Sequence, residues 1–463
     1  MSWIKFTSAY VDGSWKTPFF VELDDDGRIM NTTSMHQGPV HESHSAYLIS
    51  GVPNGHSHSF QYVMSGLSER VAPGRVDDDF WFWREQMYRL ANAISPDELL
   101  SITTRLYCSM LEHGYTSVAE FHYLHHGEGG ANYPRATQMA EVLFEAAEQA
   151  KIKLTLVPVY YNQAAPGLAI KQEQKRFYFK DTDRYLKFIE ETTALAKVRF
   201  PSATVGYGVH SLRAAPLEDI KLILSTPWTQ GPCHLHASEQ IKDVESFVSA
   251  YGVRPIKWLA ENTPLGARHN LVHATHLIPE ERQLLGKSGA TVVLCPTTEA
   301  NLGDGIFPFL DYHRDGGSWS VGSDSQVNLN PFVEMAAPEL TQRLLDQKRN
   351  VLVSDEAYIS GDILFNAALT GGRRSVGLDE ASYAVGSLFE GVLIDPDHDR
   401  IYGRPLDSIL SILCYAPERD LIKCVYSEGV LNVVEGRHRL KTDSSLYRKS
   451  LKRLLPLITS SSG

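Results

Sequence analysis

Cysteine is scarce and badly placed for a framework. Cys108, Cys233, Cys295, Cys414 and Cys424 are odd in number, scattered and without a CxxC pair, which argues against a disulfide scaffold or a zinc knuckle and leaves reduced, mostly buried thiols. Long apolar runs are missing too: no stretch reaches the roughly 18 residues of a membrane span. The opening MSWIKFTSAYVDG has no basic stretch followed by an apolar one, so no secretory leader is expected and the expected location is the cytoplasm. The basic residues form no long run and the net charge is -11, so the electrostatic footprint of a nucleic-acid binder is lacking. There is no internal repeat, and no low-complexity tract beyond the tail TSSSG, which is expected to fray.

What is present is a globular composition, 43% hydrophobic and 21% charged over 463 residues. That length exceeds the usual single domain and suits a large barrel with a smaller appended unit. Residues 1–48 alternate short apolar runs (WIKFTSAYV, FFVEL) with turn-like DDDG, a pattern of short strands. From there to residue 373 the rhythm is of short apolar runs, each ending in polar residues and separated by helix-like segments, the signature of βα units. Eight runs can be counted: the one entering His56, then TSVAEF, KLTLVPVY, TVGYGVH, PCHLHAS, NLVHATH, TVVLCP and WSVGSDS, as many as a closed barrel needs. Between them, SPDELLSITTRLYCSMLEHG reads as a helix with Ser95 as N-cap, Pro96 in the first turn, Leu99, Ile102, Leu106 and Met110 on one face, and Gly114 closing it; AEVLFEAAEQA reads as another. Residues 374–463 return to strand-like runs (GVLIDP, LIKCVY, GVLNVV) that are expected to join the N-terminal strands. The expected fold class is therefore α/β, a (β/α)8 TIM-like barrel (49–373) with a small composite β-sandwich formed by both termini (1–48 and 374–463).

Chemistry-capable residues sit where barrel strands should end. In NGHSHSFQ, His56 and His58 are two apart, a spacing that points both imidazoles to one face of a strand. PCHLHASEQ ends in His234, His236 and Glu239, NLVHATH carries His273 and His276, and SVGSDS carries Asp324. Active groups of such barrels gather at the C-terminal ends of the strands, and neutral imidazoles suit zinc or iron. The bland reading applies elsewhere. His125 and His126 are adjacent, so on extended chain they point apart; His234 reads as a buried, hydrogen-bonded neighbour of His236 rather than a ligand. His113, His269, His276 and His313 read as surface or hydrogen-bonding histidines, and Arg70, Arg75 and Arg105 have no motif around them.

The order HxH, His, His, Asp resembles the amidohydrolase superfamily. NGHSHSFQ, FWREQMYRLA, GYTSVAEFHYLHH, HLHASEQ, VHATH, LCPTTEANLGDGIFP and GSDS together resemble the formimidoylglutamate deiminase family within it, over about residues 50 to 370. The resemblance implies one divalent metal ion, zinc in preference to iron, held by His56, His58, His236 and Asp324, which acidifies a water. Dinuclear relatives use a lysine at the end of the fourth strand; TVGYGVHS has His210 there instead, which favours a single metal. The implied reaction is hydrolytic deimination of N-formimino-L-glutamate to N-formyl-L-glutamate and ammonia, a step of histidine degradation. Glu239 would protonate the departing nitrogen, Asp324 would accept the proton of the water, and His273 would orient or stabilise the tetrahedral intermediate, three roles that remain partly interchangeable. The dicarboxylate substrate would meet Arg84 and Arg213, with Gln61, Tyr123 and His210 as further polar contacts and Phe121 as pocket lining or core. Where family members commonly carry a basic residue after Gln61, this chain has Tyr62. A homodimer, paired through exposed barrel helices, is left open.

Two other readings compete. A deaminase of the same superfamily acting on a purine or another amidine-type substrate would use the same metal and Glu239, but a ring-binding pocket. A non-catalytic barrel scaffold should have lost ligands, and here the full set is present.

Overall fold

The computed structural model describes residues 2–69, 80–226, 231–378, 381–440 and 444–459. Its centre is a ring of eight parallel strands: β1 (Val52–Ser57), β2 (Tyr115–His122), β3 (Lys153–Tyr160), β4 (Tyr207–Ser211), β5 (Cys233–Ala237), β6 (His269–His273), β7 (Thr291–Leu294) and β8 (Ser318–Val321). All eight runs counted in the sequence are there. They are buried almost throughout because they are covered on both faces; in β3, for example, every residue after Lys153 is buried. Each strand pairs with the next in chain order.

The ring is drawn shut just beyond its last ladder, by a parallel bridge between Ser57 and Asp324. There the Asp324 N–H donates to the His56 carbonyl and the His58 N–H donates to the Asp324 carbonyl, each at 3.0 Å. Gly322 makes the approach possible, since a Cβ at that position would lie 2.8 Å from the His56 carbonyl oxygen.

Helices pack outside the ring. Pro96–Glu112 starts with a complete capping box between Ser95 and Glu98 and a proline in its first turn, and buries Leu99, Ile102, Leu106 and Met110 as the helical spacing predicts. Gln138–Ala150 contains the second helix read from the sequence. The two ends of the chain build one nine-stranded sheet. Its halves meet where Gly391–Ile394 runs antiparallel to Glu42–Ile49, pairing Val392 with Ile49, Leu393 with Leu48 and Ile394 with Tyr47. This sheet carries its own apolar cluster around Phe6, Leu48, Phe389 and Leu393. A barrel with a composite β unit from both termini is the fold class expected from the sequence. The five cysteines are free and buried, and among the described residues no helix is long and apolar enough to cross a membrane.

Candidate metal centre and substrate cleft

The C-terminal ends of β1, β5, β6 and β8 bring together four histidines and an aspartate. His56 Nε2 lies 3.1 Å from both His58 Nε2 and His236 Nε2, and Asp324 Oδ1 lies 3.5 and 3.4 Å from His56 and His58 Nε2. The far side of each ring decides what these atoms are. His58 Nδ1 donates to the Phe121 carbonyl at 3.0 Å and His236 Nδ1 donates to the His210 carbonyl at 2.8 Å, so both Nε2 atoms present lone pairs. Burial pushes all three imidazoles below the usual histidine range, His56 to about 3, which keeps them in the neutral, ligating form. A proton on His56 Nε2 could serve one of its two neighbours, whereas a divalent cation serves all three. Burial alone would raise Asp324, yet His56, His58 and His273 hold it well below the ordinary carboxylate range. The donor set of three imidazoles and one carboxylate therefore fits a mononuclear zinc or iron site.

Around this cluster stand the proton-handling groups. His273 stacks on His236, centroids 5.5 Å apart and planes at 13°, and its Nε2 lies 3.7 Å from Glu239 Oε1 and 3.8 Å from Asp324 Oδ2. The Asp324 carboxylate thus turns one oxygen to the histidine cluster and the other to His273. Burial works against charging His273, but Glu239, Glu299 and Asp324 raise it to about 10. Glu239 is raised by its own burial, against the pull of His273 and Arg213. The backbone is strained at these strand ends: Ser238, His273, Asp324 and Gln326 have φ of +50°, +69°, +45° and +66°, left-handed values that non-glycine residues hold only where the surroundings fix them.

A narrow cleft with about 40 Å³ of free space leads down to this cluster. Gln61, Arg84, Tyr123, His210 and Arg213 all line it, with Glu239, His273 and Asp324 at its floor. Gln61 Nε2 donates to the Tyr123 hydroxyl at 3.1 Å. Arg84 Nε donates to the Tyr88 hydroxyl at 2.7 Å, and Arg213 pairs with Asp243 at 2.5 Å. Phe121 is placed differently, packed against the histidine cluster, with its ring centre 5.0 Å from that of His56 and 4.5 Å from that of His236. Tyr62 faces away from the cleft and stacks on Tyr447 of the last helix.

The histidines given a bland reading have bland partners. His234 Nε2 donates to the Ser375 carbonyl at 2.8 Å, and His125 and His126 bond the carbonyls of Val159 and Tyr178. Arg105 pairs with Glu112; Arg70 and Arg75 lie outside the described residues, as do residues 460–463 of the tail. Several participants escaped the sequence reading. Glu299 accepts from His273 Nδ1 at 3.1 Å and from the Cys295 N–H at 2.8 Å, and so aims the imidazole. A buried polar belt also backs the ligands: Ser57 donates to Glu120 at 2.8 Å, Gln326 donates to Ser57 at 3.1 Å, Ser323 donates to Gln326 at 2.7 Å and Asn54 donates to Ser323 at 2.7 Å. The available signals were that Gln326 follows Asp324 by two residues and that Glu299 lies in the segment LCPTTEANLGDGIFP after β7.

Comparison with known proteins agrees with this geometry. The profile of the amidohydrolase family matches residues 47–426. A formimidoylglutamate deiminase of Pseudomonas aeruginosa is 36% identical over 95% of this chain and 96% of its own length. A 5-methylthioadenosine/S-adenosylhomocysteine deaminase of Natronomonas pharaonis is 21% identical over 89% of this chain and 87% of its own. Among solved structures, an amidohydrolase from Brucella melitensis superposes with a TM-score of 0.91 at 36% identity, covering 98% of this chain and 100% of that one. A zinc-bound adenosine deaminase from Xanthomonas campestris superposes at 0.79 with 20% identity, covering 98% of each, and shares the fold.

Proposed function

The chain belongs to the amidohydrolase family, and from that premise we propose that it hydrolyses N-formimino-L-glutamate to N-formyl-L-glutamate and ammonia. It is a hydrolase acting on C–N bonds of a small molecule. What carries the reading is a full-length match to a formimidoylglutamate deiminase combined with two guanidinium groups, Arg84 and Arg213, in the cleft that holds the histidine cluster. Planar guanidinium forks match carboxylates, and the substrate carries two.

His56, His58, His236 and Asp324 would hold one divalent ion, zinc in our reading. When bound, such an ion brings the ionisation of a water toward neutrality and so supplies a nucleophile without a strong base. The remaining work falls to the chain. Asp324 Oδ2, the oxygen turned away from the cluster, takes the proton of the attacking water. Glu239, whose carboxyl is raised by burial, delivers a proton to the amidine nitrogen so that it leaves as ammonia. His273, aimed by Glu299 and raised toward the charged form, stabilises negative charge that develops on the incoming oxygen. Arg84, Arg213, Gln61, Tyr123 and His210 orient the glutamyl portion. In this reading the enzyme works in the cytoplasm, in histidine degradation.

The test is ammonia release from formiminoglutamate, guanine and an adenosine derivative side by side. Turnover of formiminoglutamate is expected, with about one equivalent of metal in the purified protein; turnover of a purine alone would overturn the substrate and leave the hydrolase. Glu239→Gln is expected to keep its metal and to lose about 100- to 10,000-fold in kcat.

A further inference from the structure

In the cleft that holds the histidine cluster, part of the wall is built on a glutamine that no motif marked. Gln174 is fully buried in a short turn, and its Oε1 accepts the Lys171 backbone N–H at 2.8 Å. A backbone N–H can only donate, so this contact fixes which end of the amide is oxygen. The other end is then Nε2, and it spends its two hydrogens on two hydroxyls that line the cleft, Tyr88 at 3.0 Å and Tyr161 at 2.9 Å.

The Tyr88 hydroxyl also accepts from Arg84 Nε at 2.7 Å, one helical turn earlier on Phe80–Ala93, with the guanidinium 5.1 Å from the centre of the Tyr88 ring. Both lone pairs of that oxygen are thereby occupied by obligatory donors, and its hydrogen is not used by either. The Tyr161 hydroxyl likewise accepts from Gln174. The two hydroxyls can spend at most one hydrogen on each other, so at least one must leave the cluster as a donor. Burial and the nearness of Tyr88 push Tyr161 above the usual tyrosine range, while Arg84 and Arg213 both pull on it, which places it under the influence of both guanidiniums.

We propose that the Tyr88–Tyr161 pair donates a hydroxyl hydrogen to a carboxylate of the substrate, and that Gln174 is the positioning residue that fixes this direction. The wall near the two arginines thus offers hydrogens, which a carboxylate accepts and a protonated amidinium or ammonium head cannot. The inference rests on the dicarboxylate reading given above and adds to it the residues that orient the acid end of the molecule.

The experiment compares Tyr88→Phe, Tyr161→Phe and Gln174→Glu with the wild type, using formiminoglutamate for kinetics and glutarate, a plain dicarboxylate, for calorimetry. In Gln174→Glu the carboxylate keeps the Lys171 bond and draws both hydroxyl hydrogens to itself, reversing the wall without deleting a tyrosine. The expected result is a rise of about tenfold or more in KM and in the glutarate Kd for Gln174→Glu and at least one Phe variant, as for loss of a hydrogen bond to a charged group, with kcat and metal content within about twofold of wild type. Unchanged glutarate affinity in all three variants overturns the proposal, as does a wild type that binds no glutarate. Parallel loss of kcat, metal and affinity would mark a purely structural role and also overturns it. A wild type that ignores formiminoglutamate yet binds glutarate more tightly than Gln174→Glu would remove the substrate and leave the carboxylate wall standing.

Discussion

The molecule is joined twice from segments far apart in the chain, and the two joins use different forces. In the terminal sheet, Leu48 and Ile49 meet Leu393 and Val392, side chains that are 0 or 1% exposed. In the barrel, β1 meets β8 through Ser57 and Asp324, backed by Asn54, Ser323, Gln326 and Glu120. Apolar burial has no direction and tolerates exchange of one side chain for another of similar volume. A hydrogen-bonded join fixes angles, and a buried one is costly when a partner is removed. The barrel uses directional bonds at the place where imidazoles must be aimed, and apolar contact where two sheet halves need only adhere.

Substitutions can break this contrast, and the largest effect is expected at the aimed groups themselves. Asp324→Ala should lose metal and activity together, by more than the 10- to 100-fold that a group behind a ligand typically contributes, as read by metal analysis and ammonia release. Gln326→Leu should come next. It cuts the belt without touching a ligand, and metal affinity measured by competition with a chelator should fall about 10- to 100-fold, while circular dichroism stays that of the wild type. Smallest for catalysis is Leu48→Ala, which should destabilise by about 2–5 kcal/mol, seen as a lower midpoint of thermal unfolding, with kcat and metal stoichiometry unchanged. If Leu48→Ala also shed metal, the two joins would not be independent.

The barrel was legible because its strands repeat a local pattern, an apolar run ending in His, Glu or Asp, and the composite sheet because both ends of the chain share a strand texture. The family resemblance chose four candidate ligands from His56, His58, His236, His273 and Asp324, which stood out as residue types at strand ends. Glu299, Tyr88, Asp243, Gln174 and the belt around Gln326 did not, because each matters through a partner on another strand or loop: Gln174 serves tyrosines 86 and 13 residues away, and Asp243 meets Arg213 across 30 residues. Such pairs have no period, and a motif that contains one member, as FWREQMYRLA contains Tyr88, does not name the partner. Phe121 shows the opposite ambiguity. An aromatic at a strand end could face the cleft or the core, and here its ring braces the histidines while its carbonyl fixes the tautomer of His58.

The way the ring closes has a consequence for the protein before it is loaded. With β1 and β8 fastened at the candidate ligands, a bound cation would clasp the first and last staves of the barrel to each other. In the empty protein that edge has the least to hold it, so amide exchange should start in residues 54–58 and 322–326 and spread from there. Filling the site would slow exchange along the whole ring.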